Sequence, residues 1–179
     1  MLGGRAGATP SERVDTRVVT ADPDHPSEHP GTAIERLLDI EAIEQLKARY
    51  FRCIDTKDWT AFRELFTDDC RHELPEESPI PFMTNDEYFP MMEATLGEGV
   101  TTHHGHMPEI TFASATEASA IWAMHDYVQV DGPNGRVSIK GWGHYHETYR
   151  KGDDGRWRIS SKRNTRLRVD EVPWTLPDR

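Results

Sequence analysis

The sequence predicts an α+β domain: a cone-shaped, curved antiparallel β-sheet (an α+β barrel) closed by three N-terminal helices. Two observations predict it. Apolar residues before Gly99 recur at three- and four-residue spacing, the stripe of amphipathic helices. After Gly99, long segments with strand-like alternation are separated by hairpin turn signals, and helices followed by a run of strands make a mixed fold with the helices on one face.

The first helix is expected to begin near Thr32, with Ile40, Ile43, Leu46, Tyr50 and Ile54 continuing its stripe and Asp39 placed to cap a restart. Asp58 is the expected N-cap of a second helix running from Trp59 to Phe66. A short strand from Cys70 to Leu74 and a Pro-rich loop follow. Thr84 with Glu87 three residues later forms a capping box, which opens a third helix that Gly97 and Gly99 end. Pro90 falls inside that helix and makes its first turns irregular. The strands are expected at 100–114, 117–131, 136–150 and from Arg156 to about Val169, with turns at 130–135 and 151–155.

Three zones result. Residues 1–31 are rich in Gly, Pro, Ser, Thr, Asp and His and carry too little apolar surface to offset chain entropy, so a disordered or loosely docked arm is expected there. Residues 32–172 form the domain, and 173–179 a C-terminal tail. At 179 residues the chain has room for one sizeable core.

Charge narrows the function. Lysine and arginine number 21 against 31 acids, a net charge of −10 without a basic block. Nucleic acid and anionic membrane surfaces both call for a concentrated positive field, so neither is an expected partner. No run approaches the roughly 20 apolar residues that span a bilayer, and a cytoplasmic location is expected. The two cysteines, Cys53 and Cys70, read as reduced.

The residues that carry chemistry are concentrated in two places. Tyr50 and Asp55 lie near the end of the first helix, and Thr101-Thr102-His103-His104-Gly105-His106 opens the first long strand. A carboxylate that orients an imidazole beside a phenol suffices to move a proton off carbon without metal or cofactor. Side-chain alternation puts His103 on one face and His104 with His106 on the other. In the next strand, Trp122, Met124, Asp126 and Val128 share a face, and a carboxylate among apolar neighbours is costly unless paired or functional. An ion pair with an arginine is the competing explanation, and the opposite face (Ile121, Ala123, His125, Tyr127) is also partly apolar. His144 and His146 form a second His-x-His pair, which with His104 and His106 could hold zinc or iron. That spacing occurs in any HxH strand, so no metal is assigned. These histidines are expected to border the pocket, or to line the other face of the sheet at a subunit contact.

The run Tyr50-x-x-x-x-Asp55-x-x-Asp58-Trp59, the Phe66-x-Asp68-Asp69 segment, a His-to-Pro strand and Gly155-Arg-Trp-Arg-Ile159, in this order, resemble the SnoaL-like branch of the nuclear transport factor two-like superfamily over roughly residues 33 to 170. In site pattern the chain is similar to the scytalone dehydratase, bile-acid 7α-dehydratase and hexachlorocyclohexane dehydrochlorinase group. The resemblance implies a cone whose mouth leads to an apolar pocket, an Asp–His pair matched by Asp55 and His103, a tyrosine matched by Tyr50 and an aspartate matched by Asp126. It also implies a late-strand basic residue, for which Lys162, Arg163 and Arg166 all fit. The histidine-rich stretch departs from the family pattern and leaves the base to be chosen among His103, His104 and His106.

The expected function is therefore a cofactor-independent lyase of the dehydratase kind acting on a hydrophobic small molecule. Asp55, His103, Tyr50 and Asp126 form its catalytic set, and Trp122, Met124, Arg163, Arg166, His144 and His146 contact substrate. The alternatives are an isomerase or polyketide-cyclase-like enzyme using the same dyad, and a non-catalytic small-molecule-binding or dimerisation domain. A homodimer or homotrimer is expected.

Overall fold

The computed structural model describes residues 31–75, 78–132 and 135–173. The expected N-terminal arm (up to residue 30) and most of the C-terminal tail (174–179) lie outside the described residues. α1 spans Ala33–Thr56, α2 Trp59–Arg63 and α3 Asn85–Leu96; the strands are β1 Phe66–Glu73, β2 Phe82–Met83, β3 Val100–Phe112, β4 Glu117–Gly132, β5 Gly135–Lys151 and β6 Trp157–Pro173. The fold is α+β, and the six strands form one open, curved sheet in the order β2-β1-β6-β5-β4-β3. Every pairing is antiparallel except β1 with β6.

α1 begins in a Thr32–Glu35 capping box and ends at Lys57 in the left-handed conformation, φ 62°. It has no restart at Asp39. That side chain is nearly buried, accepts a hydrogen bond from Trp157 Nε1 at 2.9 Å and pairs with Lys151 at 2.5 Å, so it docks the helix onto β5 and β6. α2 starts at Asp58 as expected, the side chain accepting from Ala61 N, but stops at Arg63. Leu65 and Phe66 were expected to extend it. Instead Phe66 opens β1, because its backbone finds a ladder with β6 and its ring packs against Phe62 and Phe89. α3 runs through Pro90, and Glu87 accepts from Thr84 N at 2.8 Å. Both cysteines are buried and free, and burial pushes the Cys70 thiol up to about 12.

One face of the sheet is buried under α1 and α3, and it is not simply apolar. Lys47 and Glu147 form a fully buried ion pair at 2.5 Å. Tyr149 donates to the other carboxylate oxygen of Glu147, and Trp122 Nε1 donates to Tyr149 at 2.8 Å. The Lys47 ammonium lies over the rings of Tyr145 (3.8 Å), Tyr50 (4.2 Å) and Phe51 (4.8 Å), whose negative faces stabilise it. Even so, burial drives Lys47 down to about 8 against the pull of Glu147.

Removing one partner of such a pair strands the other charge in a medium that solvates it poorly. Glu147→Gln should therefore cost about 3–5 kcal/mol in urea unfolding at pH 7. Adding Lys47→Met should return most of that loss. A single variant as stable as the parent would show that the pair is not closed to water.

Candidate active site

Residue register builds the site. His103 of β3 is paired with Asp126 of β4, which is paired with Gly141 of β5. The three therefore lie side by side, and the buried Trp122, Met124 and Asp126 show that this face points to the interior. The end of α1 crosses above β3 and supplies the remaining group.

Asp55 and His103 meet. The Asp55 carboxylate takes the His103 ring nitrogen Nδ1 at 2.7 Å, the His103 backbone N–H at 2.9 Å and the Thr101 hydroxyl at 2.8 Å. Lys57 donates to Thr101 at 2.8 Å and to the Ile54 carbonyl at 3.1 Å, so the left-handed end of α1 is tied into the same cluster. Burial pushes the Asp55 carboxyl up, but the hydrogen bonds from His103 and Thr101 outweigh it and hold the group below its usual range. An ionised carboxylate accepts only, so Nδ1 carries the proton, and in the neutral ring Nε2 presents a lone pair. Nε2 has no hydrogen-bond partner among the described residues. The pair is open to solvent on one side, with 22% of the Asp55 side chain and 8% of the His103 side chain exposed.

Asp126 is buried and held by Arg166 through two contacts, 2.9 Å from Nη1 and 2.8 Å from Nη2. Arg166 belongs to β6, beyond β5, and reaches Asp126 over Gly141. A Cβ at that glycine would lie 2.0 Å from Arg166 Nη1 and 2.3 Å from the Asp126 carboxylate. The Arg166 side chain is 37% exposed, so it forms part of the open side of the site.

Tyr50 is fully buried behind this row. Its hydroxyl accepts from Lys162 at 3.0 Å, and Lys162 also donates to Tyr88 at 2.8 Å. Burial lifts the Tyr50 phenol well above its ordinary value; Tyr88, Glu147 and Asp126 add to that, so it remains an O–H donor. Of the three basic residues that fit the late strand, Lys162 and Arg166 face the interior. Arg163 points the other way and lies 3.7 Å from Glu73.

Other sequence-selected residues fall elsewhere. His144 and His146 alternate with the buried Gly143, Tyr145 and Glu147 and so lie on the outer face, where His146 meets Thr165 at 3.0 Å. His104 and His106 are on that face too, His104 stacked with His125 and His125 with Trp142. Among the described residues no group of three or more His, Cys, Asp or Glu is arranged to hold a metal. Trp122 and Met124 point inward, but the indole N–H of Trp122 is committed to Tyr149. Thr101, Lys57, Tyr88 and Gly141 join the site without having been selected from sequence; alternation from His103 was the one signal that could have found Thr101. A cleft of about 940 Å³ lies between α1, α2 and the start of β6, and another of about 520 Å³ at Asp69, Glu117 and Arg150. Neither includes Asp55, His103, Tyr50 or Asp126.

No helix among the described residues is long and apolar enough to cross a membrane. The architecture recurs in known proteins. A "Putative Scytalone Dehydratase" of Novosphingobium aromaticivorans superposes with a TM-score of 0.68 at 21% identity, over 82% of this chain and 94% of that one. The hexachlorocyclohexane dehydrochlorinase LinA-type3 of Novosphingobium barchaimii gives 0.65 at 17% identity, over 82% and 100%. In sequence, the "Probable cyclase FGR4" of Gibberella zeae is 28% identical over 144 residues, 75% of this chain and 91% of that protein. The SnoaL-like domain model matches residues 35–163, nearly the whole described fold from α1 into β6, and the chain belongs to the SnoaL-like family.

Proposed function

We propose that the protein is a cofactor-independent acid–base enzyme of the lyase or isomerase kind, acting on a hydrophobic small molecule by removing a proton from carbon. One observation carries the reading: His103 Nδ1 is fixed on an ionised Asp55 while Nε2 remains free at the open side of the site. In that tautomer Nε2 is the base. As it takes a proton the ring becomes cationic, and the Asp55 carboxylate 2.7 Å away stabilises that charge.

The second charged pair supports elimination. Asp126 has both oxygens engaged by Arg166, which suits it to positioning rather than to giving up a proton. The part-exposed guanidinium then meets the oxygen on which charge develops, and Tyr50, oriented by Lys162, donates from within. Loss of water from a hydroxylated ketone or thioester uses each of these groups, which makes dehydration the leading reading. The names of the relatives, a dehydratase, a dehydrochlorinase and a cyclase, belong to reactions such a site performs. Isomerisation or cyclisation needs only the base and an oxyanion donor. The cyclase relative keeps that second reading in view, and loss of water from the substrate mass distinguishes the two outcomes.

His103→Gln should lower turnover by about 10²–10⁴, the usual contribution of a general base, with the fold intact by circular dichroism. Full turnover in that variant would end the assignment. Asp55 makes a second prediction. Its folded carboxyl titrates below its unfolded value near 3.9, so its stabilisation is complete above that value and is lost as pH falls through the lower folded one. The stability gap between parent and Asp55→Asn should be largest at neutral pH and should narrow below about pH 4. Urea titrations that show a constant gap would contradict this. Gly141→Ala should cost about 1–3 kcal/mol in urea unfolding by forcing Arg166 from Asp126, and replacing both members of the pair in that background (Arg166→Met with Asp126→Leu) should recover part of the loss.

A further inference from the structure

Tyr145 occupies the inner face of β5, following the inward glycines Gly141 and Gly143, and is 1% exposed. Its ring packs on Tyr50 and Phe51, with centroids 6.2 and 5.8 Å away, and the Lys47 ammonium caps it. The hydroxyl is buried without any hydrogen-bond partner among the described residues. Burial raises this phenol well above its ordinary value; Tyr50, Lys162, Asp126 and Arg166 are the charged and polar groups it feels, so it remains an O–H donor facing the site.

The residue paired with Tyr145 across the β5–β6 ladder is Asn164, which sits on the inner face between Lys162 and Arg166. Its side-chain oxygen is also buried and also unpartnered. The surrounding interior contrasts with this, since Lys47, Glu147, Tyr149, Trp122, Lys162, Tyr50, Asp126 and Arg166 all have hydrogen-bonded partners. A buried polar atom left without a partner costs stability, so native interiors rarely keep one without a reason. Here an orphaned donor and an orphaned acceptor occupy register-paired positions, one inward step from Arg166.

We infer that Tyr145 and Asn164 form a polar subsite for a second oxygen function of the substrate, a hydroxyl that accepts from the Tyr145 O–H and donates to the Asn164 side-chain oxygen. The inference rests on the acid–base reading of the adjacent row and adds a substrate class to it. The substrate is an apolar skeleton that carries, besides the group at which His103 acts, a hydroxyl about 13 Å away along the sheet, since Tyr145 lies four strand residues from the Gly141 that shares the His103 row. A hydroxyl can pair with both atoms at once, whereas a bare carbonyl would satisfy only the tyrosine.

The test compares binding of 2-naphthol and naphthalene, followed by fluorescence, with thermal unfolding of the same proteins. The parent should bind 2-naphthol at least tenfold more tightly. Tyr145→Phe and Asn164→Leu should each erase most of that preference while leaving the melting temperature unchanged or raised, because each removes an unpaired buried polar atom. His103→Gln should keep the preference, which separates failure of the subsite from failure of the proton-abstraction reading. Equal affinity for the two probes in the parent, no binding of either, or a preference retained in both subsite variants would overturn the inference. So would a melting temperature several degrees lower in Tyr145→Phe, since that hydroxyl would then have a partner within the protein.

Discussion

The contact between Asp55 and β3 governs the site because one carboxylate performs three tasks. Its hydrogen bond from the His103 backbone fixes where α1 sits on the sheet, its bond from Thr101 fixes the turn that follows, and its bond from Nδ1 fixes the imidazole tautomer. A carboxylate at a helix C-terminus faces the unfavourable end of the macrodipole. Here three donors from β3 offset that cost, and Lys57 in its left-handed cap brings a cation to the same cluster. The result is an imidazole aligned by secondary structure rather than by a loop, which limits how far its free nitrogen can wander.

The interior behind the dyad has the opposite character from a greasy cavity. It is wired with polar groups: a buried ion pair extended by Tyr149 and Trp122, and a buried lysine shared by two phenols. Such networks stabilise little compared with apolar packing of equal volume, and they penalise any rearrangement that leaves a member unpaired. Their effect here is placement. Lys162 turns the Tyr50 oxygen into an acceptor on one side, so that its proton points elsewhere, and the rings around Lys47 set the position of Tyr145. The apolar part of the site is correspondingly small: Met124, held between Gly105 and Gly143 in the ladder, with Phe51 pressed onto Gly105.

Much of the fold was legible because its signals are local. The start near Thr32, the caps at Asp58 and Thr84 and the turn signals after β4 and β5 announce their elements within a few residues. The end of α2 was not legible, because Phe62, Leu65 and Phe66 keep helical spacing while the partner that pulls Phe66 into a strand lies on β6. The meeting of Asp55 with His103 was expected from the resemblance, whereas the choice among Lys162, Arg163 and Arg166 could not be made from pattern. Trp157 and Ile159 face inward, which by simple alternation would turn Arg163 inward as well. The β5–β6 register slips between Thr148 and Tyr149, absorbing one residue of β6 near Ser160, and the inward parity passes to Lys162, Asn164 and Arg166. The same pleat, unbroken along β5, sends His144 and His146 outward. A one-residue bulge thus decides which cation enters the site, and no local sequence feature marks it.

That bulge also accounts for the glycine opposite. With parity shifted, Arg166 is paired with Gly143, two residues along β5 from the Gly141 that faces Asp126, and its guanidinium reaches that carboxylate diagonally only if β5 carries no side chain at the crossing point. Gly141 supplies that gap, and its missing Cβ would overlap both partners. The register slip, the glycine and the ion pair are therefore one device and have to be read together. The device keeps a full positive charge beside the base without neutralising Asp55, since Asp126 takes the contact. On the proposed reading, two acid–base pairs side by side, one open at a nitrogen and one open at a guanidinium, would divide the work of taking a proton from carbon and receiving charge on oxygen. On that reading elimination and isomerisation both begin with the same step and part only at whether an oxygen leaves, so the groups lying beyond Arg166 would decide between them.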